Sequence, residues 1–206
     1  MVNLLLAYDE EDERIGNRFK ALADITKMIF SNVNILELSS RYLKNDILIL
    51  EERKKISVRS AFIAFTHGQE NALIGSKDKE FLSSKTDVTA FKGDLMYCFS
   101  CLAGITLSKY LIGKGIRCFI GHNKVIYVHT LPRYSSFFEK PVKCFISNVF
   151  ARKSIERCLQ ETKHEYTQQI DALYGKDYML ASCLLNNRDS LIALGDKSAS
   201  LNDYDL

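Results

Sequence analysis

Hydrophobic positions along the chain alternate between two patterns. Short runs rich in Leu, Ile, Phe and Tyr are separated by longer stretches in which apolar residues recur every three or four positions. The short runs are typical of buried strands, and the longer spacing is typical of amphipathic helices. Strand and helix therefore alternate, which predicts an α/β fold whose mostly parallel central sheet is flanked by helices on both faces.

The pattern gives approximate bounds for each element. It predicts strands over 3–8, 32–39, 60–68, 94–100, 116–123 and 190–195. It predicts helices over 10–30, 41–55, 103–115 and 179–185, and a helical hairpin over 135–175 that breaks at 151–154. Short pieces broken by Gly, Ser and Asp indicate a small hairpin-like excursion over 69–92, and the Asn-Asn-Arg-Asp run at 186–189 is expected to form a turn.

Composition narrows the class of protein. Hydrophobic residues make up 47% of the 206, which is enough for a sizeable core. We find no internal repeat, low-complexity tract or Pro/Gly-rich linker, so residues 1–198 are expected to form one domain, followed by a polar tail over 199–206 that frays. The formal net charge is only +3, with basic residues interspersed, and this predicts no nucleic acid as partner.

The N-terminus and the cysteines bear on location. The first residues have no basic region, a short apolar run and then acid, so neither a signal peptide nor a membrane segment is expected, and we predict a cytoplasmic protein without a membrane partner. Six cysteines stand mostly among apolar neighbours, which indicates reduced, buried thiols rather than a disulfide framework.

Two chemically useful residues follow predicted strands. His67 ends the strand around Phe62–Phe65, and Cys101 follows the strand around Leu95–Phe99. Ligands of open parallel sheets gather beyond the carboxyl ends of the strands, and consecutive strands are usually neighbours. We therefore expect imidazole and sulfur to lie at one rim.

The expected arrangement has the parts of a nucleophilic site. Cys101 precedes a predicted helix, whose amino end would favour a thiolate, and a nearby histidine can accept the thiol proton and return it to a leaving amine. Gly68 lacks a Cβ, so its peptide can approach a substrate carbonyl. The amides of Gly68 and Cys101 are candidates for an oxyanion hole.

The sequence resembles the caspase-like (clan CD) cysteine peptidases, especially their bacterial CHAT-type branch. The likeness lies in "FIAFTHG", "LMYCFSCLAG", "GIRCFIGHN" and the terminal "NNRDSLIALGD". It implies a caspase-like three-layer sandwich in which His67 is the general base and Cys101 the nucleophile, with Gly68 helping to hold the oxyanion. Ser100 stands before the nucleophile where caspases have alanine, so the resemblance carries no substrate specificity.

The resemblance also implies a biological role. It suggests a cysteine endopeptidase that cleaves a protein substrate through an acyl-enzyme, without a cofactor or metal, in prokaryotic defence or stress. A separately encoded regulatory subunit is expected, because the chain shows no sensor domain of its own, and processing into two subunits is not expected, because it shows no activation linker. A non-catalytic adaptor or protein-binding module on the same scaffold is the alternative from another class.

Other readings of the histidines and cysteines stay open. Cys98 and Cys101 have the C-x-x-C spacing of redox and zinc motifs, but no second such pair follows. His122 ends another predicted strand and is an alternative base, as is His129. His164 is expected at the surface. The glycines of 114–121 match no phosphate-binding motif, so nucleotide binding is not expected.

Two further groups have both a structural and a functional interpretation. Asp9, Glu10 and Glu11 follow the first strand, where they either cap the first helix or line a pocket for a basic substrate side chain. The capping interpretation is favoured. An aromatic stripe in the helical hairpin is interpreted as core, with an interaction surface as the alternative; it comprises Phe137, Phe138, Phe145 and Phe150.

Overall fold

The computed structural model describes residues 4–56 and 59–204 of the chain. The strands are β1 (Leu4–Tyr8), β2 (Ile35–Ser39), β3 (Ala61–Phe65), β4 (His67–Gln69), β5 (Ala72–Gly75), β6 (Lys79–Ser83), β7 (Leu95–Phe99), β8 (Cys118–His122) and β9 (Leu191–Gly195). The α-helices are α1 (Gly16–Ile29), α2 (Asp46–Lys54), α3 (Leu107–Gly113), α4 (Pro132–Phe150), α5 (Ile155–Leu173) and α6 (Tyr178–Ser190). The predicted alternation of strand and helix is confirmed.

Six strands of the described chain form the central sheet. Their order is β2-β1-β3-β7-β8-β9. Every neighbouring pair is parallel except the last, in which β9 runs antiparallel to β8 at the edge. The carboxyl ends of β1, β3, β7 and β8 therefore meet at one rim, and β3 and β7 are direct neighbours, as the sequence predicted.

Helices cover both faces of the sheet. Strands such as β3 and β7 are buried along their whole length, because alternate side chains enter two separate cores. Ile63, Tyr97 and their equivalents pack beneath α1 and α4–α6, whereas Phe62 and Met96 pack beneath α2 and α3. The result is the three-layer sandwich expected from the pattern.

A second, smaller sheet stands beside the rim. Strands β4, β5 and β6 form an antiparallel meander that begins at His67, two residues after the end of β3. It occupies the interval predicted as a hairpin-like excursion. The sequence had suggested that His67 ends β3, whereas the structure makes it the first residue of this meander.

Three sequence predictions differ from the structure. The Asn-Asn-Arg-Asp run is the last turn of α6 instead of a loop, since Asn187 is 1% exposed and helps to anchor the helix. Helix α3 begins at Leu107 rather than near residue 103. Residues 199–204 do not fray: Leu201 and Tyr204 are buried, and the Tyr204 hydroxyl donates to the Gly93 carbonyl over 2.8 Å.

The helical hairpin was predicted well. Helices α4 and α5 are separated by residues 151–154, the predicted break. Phe138 and Phe145 are buried in the core, Phe137 packs against it, and Phe150 is 37% exposed while its ring contacts Phe30. The core interpretation of this stripe is confirmed for the first three and holds in part for Phe150. In the described ranges, no helix has the length and apolar character needed to cross a membrane.

Candidate active site

The sheet register brings the two candidate residues to the same rim. Strand β3 pairs with β7 so that Phe65 lies opposite Phe99. His67 and Cys101 each follow two residues later, and the backbones are still in contact there. A Cβ atom placed on Gly68 would lie 2.5 Å from the carbonyl oxygen of Cys101. Since that oxygen is backbone and cannot swing aside, the close approach requires glycine.

The amide of Gly68 is directed away from its own meander. A two-residue turn joins β4 to β5, so the flanking pair, Gln69 and Ala72, is the hydrogen-bonded one. The next pair, Gly68 and Leu73, is then a non-hydrogen-bonded pair, whose N–H and C=O groups point outward. A Cβ on Gly68 would meet Ser100 and the carbonyl of Cys101, so these residues cover one face of the meander at Gly68.

The turn that carries Cys101 is strained. Leu102, the next residue, has a φ of 60°, a left-handed conformation that a bulky side chain rarely adopts. The turn is held by bonds from the Leu102 amide to the Lys124 carbonyl (3.1 Å) and from the Ala103 amide to the Cys101 carbonyl (2.7 Å). Within the described residues, the amide of Cys101 itself makes no hydrogen bond.

Cys101 does not lie at the amino end of a helix, contrary to the sequence prediction. Helix α3 begins at Leu107, six residues after Cys101, and has only seven residues. Gly104 packs against the backbone of His122, which keeps residues 101–106 in turns instead of extending the helix. The argument from a helix dipole is therefore wrong for this cysteine.

The loop after β8 supplies a hydrogen bond to the sulfur instead. The Ile126 amide donates to Cys101 Sγ over 3.4 Å, and its carbonyl oxygen lies 4.0 Å from the same atom. Cys101 is partly exposed, unlike Cys98. Beneath it, Ser100 is buried, and its Oγ has no hydrogen-bond partner in the described part of the chain.

The imidazole has an acidic partner that sequence reasoning missed. His67 Nε2 lies 3.0 Å from Asp12 Oδ2, and its ring contacts the edge of Phe19. The other carboxylate oxygen, Oδ1, accepts from the amides of Arg14 (2.9 Å) and Ile15 (2.6 Å). Asp12 thus closes the turn before α1 and contacts His67 at the same time.

The surroundings of Asp12 favour its ionised carboxylate. Burial by itself raises the pKa of Asp12, but the amide of Ile15, the His67 ring and the amide of Arg14 outweigh burial and lower it overall. Because Nε2 faces this carboxylate, Nδ1 is the ring nitrogen left for proton transfer with another group. The signal in the sequence was the acid run after the first strand, of which Asp12 is the fourth residue.

The first three acids of that run do not cap α1. Asp9 is 3% exposed and its Oδ1 accepts from Ser40 Oγ over 2.7 Å. Glu10 pairs with Lys20, and Glu11 accepts from Ser76 Oγ. The favoured capping interpretation is therefore wrong for these three, since α1 begins only at residue 16. Asp9, Glu11, Asp12 and His67 line a cleft of about 510 Å³.

The alternative bases lie elsewhere. His122 is fully buried, its Nδ1 is 2.8 Å from Ser190 Oγ, and burial lowers its pKa to about 3. Its Nε2 is buried without a partner among the described residues. His129 stacks on Phe138 and lies beside Tyr134. Neither ring is placed at the contact between Gly68 and Cys101.

The other cysteines are placed for packing. Cys98 is fully buried within β7, and burial raises its pKa far above the ordinary value. Burial also raises the pKa of Cys118 and Cys158, each to about 12. Within the part of the chain that is described, no three His, Cys, Asp or Glu side chains are grouped to hold a metal. Of the two cysteines with C-x-x-C spacing, Cys98 therefore lies in the core and Cys101 lies at the rim.

Comparison with known proteins identifies the fold. No protein-family model and no curated protein matches the chain. It is similar to the crystal structure of the Arg specific cysteine proteinase gingipain R, with a TM-score of 0.66 and 9% identity over 96% of this chain and 47% of that one. A complex of Porphyromonas gingivalis RgpB pro- and mature domains gives a TM-score of 0.57 and 11% identity over 95% and 47%.

At such identities, the likeness concerns the fold. The mostly parallel sheet flanked by helices matches the caspase-like fold of gingipain R, a clan CD cysteine proteinase, so the fold class predicted from sequence is confirmed. The chain spans about half the length of the structures it matches.

Proposed function

We propose that the protein is a cysteine endopeptidase with Cys101 as nucleophile and His67 as general base, assisted by Asp12. The observation that carries the proposal is the packing of the His67–Gly68 backbone against the carbonyl of Cys101. The caspase-like fold, shared with a cysteine proteinase, supports the same reading. Asp12 adds a third group that can orient the imidazole and stabilise its charged form.

The first half of the reaction forms an acyl-enzyme. His67 Nδ1 accepts the thiol proton of Cys101, and the thiolate attacks the carbonyl carbon of the scissile peptide bond. The developing oxyanion is stabilised by the outward amide of Gly68 and the unpaired amide of Cys101. The C–N bond then breaks as the imidazolium gives its proton to the leaving amine, which leaves a thioester on Cys101.

The second half restores the enzyme. His67 removes a proton from a water molecule, whose oxygen attacks the thioester carbonyl. The C–S bond breaks, the new carboxylic acid leaves, and the proton held by His67 returns to the sulfur of Cys101. Asp12 stays ionised throughout and keeps Nε2 protonated, so that Nδ1 serves each transfer.

The test is covalent labelling followed by cleavage. The purified chain is treated with a mixture of peptidyl acyloxymethyl ketones that carry every residue at P1, and the labelled cysteine is identified by mass spectrometry. We expect selective labelling of Cys101 in the wild type and loss of labelling in Cys101→Ala. His67→Ala is expected to reduce labelling at least about 100-fold, as removal of a general base does.

A non-catalytic module would behave differently. If Cys101 were labelled no faster than the partly exposed thiols of Cys144 and Cys183, the peptidase proposal would be wrong and the adaptor alternative would stand. Cys183→Ala serves as the control variant, since that thiol lies on α6 away from the proposed site. It is expected to label like the wild type.

The finer biological setting is also a proposal. The resemblance to the CHAT-type branch supports a cytoplasmic peptidase in prokaryotic defence or stress, acting on a dedicated protein and held by a separately encoded regulator. One structural neighbour is a complex of pro- and mature domains, so a protein partner is a reasonable expectation for this fold. Co-purification of the Cys101→Ala chain with its native neighbours, followed by cleavage with the wild type, tests it.

A further inference from the structure

Two side chains of α6 bind the loop after β8: Asn186 Nδ2 donates to the Val125 carbonyl over 2.7 Å, and the buried Asn187 binds Tyr127 through two bonds. Asn187 Oδ1 accepts from the Tyr127 amide over 2.8 Å, and Asn187 Nδ2 donates to the Tyr127 carbonyl over 2.7 Å. Asn187 is 1% exposed. Its backbone carbonyl accepts from Ser190 Oγ, which in turn meets His122 Nδ1. The amide side chain therefore binds the loop the way a neighbouring strand would, from a fixed position.

This anchor decides where the preceding amide points. When the N–H and C=O of one residue point to the same side, the backbone there is extended, and the adjacent amide points to the opposite side. With both groups of Tyr127 held by Asn187, and the Val125 carbonyl held by Asn186, the amide of Ile126 faces away from α6. It is this amide that lies 3.4 Å from Cys101 Sγ.

A backbone amide at that distance acts on the charge state of the sulfur. A thiolate is a much stronger acceptor of this N–H bond than a neutral thiol, whose S–H has the Ile126 carbonyl oxygen at 4.0 Å as its recorded acceptor among the described residues. Hydrogen bonding to the charged form of a group favours that form. The amide of Ile126 thus takes the part for which a helix dipole had been expected.

We propose that Asn187 is a positioning residue, which holds Tyr127 so that the Ile126 amide donates to and stabilises the Cys101 thiolate. The inference rests on the proposed function, since it assigns a role to the reactive form of Cys101. Helix α6, which lies far along the chain from Cys101, thereby contributes to activation of the nucleophile. The effect is separate from proton transfer to His67.

Titratable side chains on the elements around this sulfur also act on its charge state. His67 lies on β4 with Asp12 beside it, and the covering loop carries Lys124, Tyr127 and His129. The backbone carbonyl of Lys124 accepts from Leu102, and the ring of His129 packs against α4. These groups are kept in each variant below, so a change in the pH profile of Cys101 follows from the altered loop contact in Asn187→Ala, which adds no charge.

The test measures alkylation of each cysteine in the full chain. Iodoacetamide labelling is followed by peptide mass spectrometry between about pH 6 and pH 9. We expect Asn187→Ala and Asn187→Asp to slow labelling of Cys101 at neutral pH by roughly fivefold to tenfold and to displace its pH profile upward. The Asp variant keeps an acceptor for the Tyr127 amide but sets a carboxylate against the Tyr127 carbonyl.

Two further variants separate positioning from loss of structure. Ser190→Ala breaks the same buried network on its His122 side and should leave Cys101 labelling within twofold. Ile126→Pro removes the donor amide and leaves Asn187 with its two partners on Tyr127, and it should slow labelling of Cys101 as Asn187→Ala does. Because general loosening would speed labelling of the buried thiols Cys98, Cys118 and Cys158, their unchanged rates show that the Cys101 effect is local.

The outcomes are distinct. Unchanged Cys101 labelling in both Asn187→Ala and Ile126→Pro, or equal slowing by Ser190→Ala, would overturn the positioning role while leaving a reactive Cys101 intact. If Cys101 of the wild type reacts no faster than Cys144, the proposed function fails first. If the Asn187 variants do not fold, Ile126→Pro alone decides between the two results.

Discussion

The two ends of the β3–β7 pair carry polar clusters with opposite character. At the amino ends, Asp94 is 0% exposed and binds Arg53 through two bonds of 2.6 and 2.8 Å. The amide and hydroxyl of Ser60 complete its contacts. At the carboxyl ends, the His67 side chain is 37% exposed, and the amide of Cys101 lacks a partner within the described residues.

The difference separates a structural cluster from a chemical one. A buried pair with its bonds satisfied holds α2 against the starts of β3 and β7, but it leaves nothing to bind a substrate. A half-exposed pair beside a strained turn and an unpaired amide costs stability and leaves groups available for a ligand. The proposed chemistry belongs at the second end. Three of the four predictions below test this contrast, and one concerns the buried His122 of β8.

The largest effect is expected from the buried cluster, on stability. Asp94→Ala should lower the free energy of unfolding by about 3 to 5 kcal/mol, because the buried Arg53 guanidinium loses its carboxylate. Urea denaturation followed by circular dichroism measures it. Asp12→Ala, the matched change at the other end, should cost under about 1.5 kcal/mol. Equal losses would show that the two ends are not different in kind.

The second effect concerns the close approach of the two loops. Gly68→Ala should reduce labelling of Cys101 by the acyloxymethyl ketones about 100-fold, equivalent to about 2.7 kcal/mol. The new Cβ would lie 2.5 Å from the Cys101 carbonyl oxygen and must push it to a normal distance. The rate of covalent labelling is the readout. Gly113→Ala is the control, as a Cβ there meets nothing within 4 Å. A loss below threefold in Gly68→Ala would contradict the proposed contact.

The third effect is a dependence of stability on pH that comes from His122. Its pKa in the folded protein is about 3, so below its ordinary value near 6.5 the unfolded chain binds a proton that the folded chain does not. Stability should therefore be complete above about pH 6.5 and fall as pH decreases, by about 2 kcal/mol down to pH 5. Denaturation midpoints across this range measure the slope.

Variants isolate the contribution of His122. His122→Gln should lose stability at neutral pH but show a flatter dependence between pH 6.5 and 5, since the buried imidazole is gone. His164→Gln, which changes an exposed histidine hydrogen-bonded to Gln168, should keep the wild-type slope. An unchanged slope in His122→Gln would mean that other groups cause the acid loss.

The sequence predicted the parts of the fold that depend on hydrophobic period. Buried runs marked β1 and β7 to within one residue at each end and located β3 and β8, although the predicted strands there were up to three residues too long at one end. Chain order correctly predicted that β3 and β7 are neighbours. It also placed His67 and Cys101 at one rim. Helix ends were less certain, because α6 continues through polar residues whose side chains bind the loop after β8.

The missed features of the site arise from contacts between distant segments. Asp12 lies 55 residues from His67, and its run of acids resembled a helix cap. The amide of Ile126 reaches Cys101 from 25 residues away, from a loop without a periodic pattern. Neither contact follows from spacing or residue type, since each depends on how a loop crosses the rim.

The smallest effect is expected from the acid behind the imidazole. Asp12→Asn keeps an acceptor for the Arg14 and Ile15 amides but removes the negative charge beside His67, so the imidazolium formed in catalysis is less stable. Labelling of Cys101 should fall about tenfold, or 1.4 kcal/mol.

The lowered pKa of Asp12 means that its contribution to stability is present above about pH 3.9 and is lost at lower pH.

Two controls decide whether that loss comes from the charge at His67. Glu10→Gln removes a nearby carboxylate that pairs with Lys20 at the surface, so labelling should stay within twofold of the wild type. In a His67→Ala background, Asp12→Asn should have no additional effect, because its partner is already gone. If the two substitutions instead reduce labelling independently, Asp12 acts through the acidic cleft it lines rather than through the imidazole.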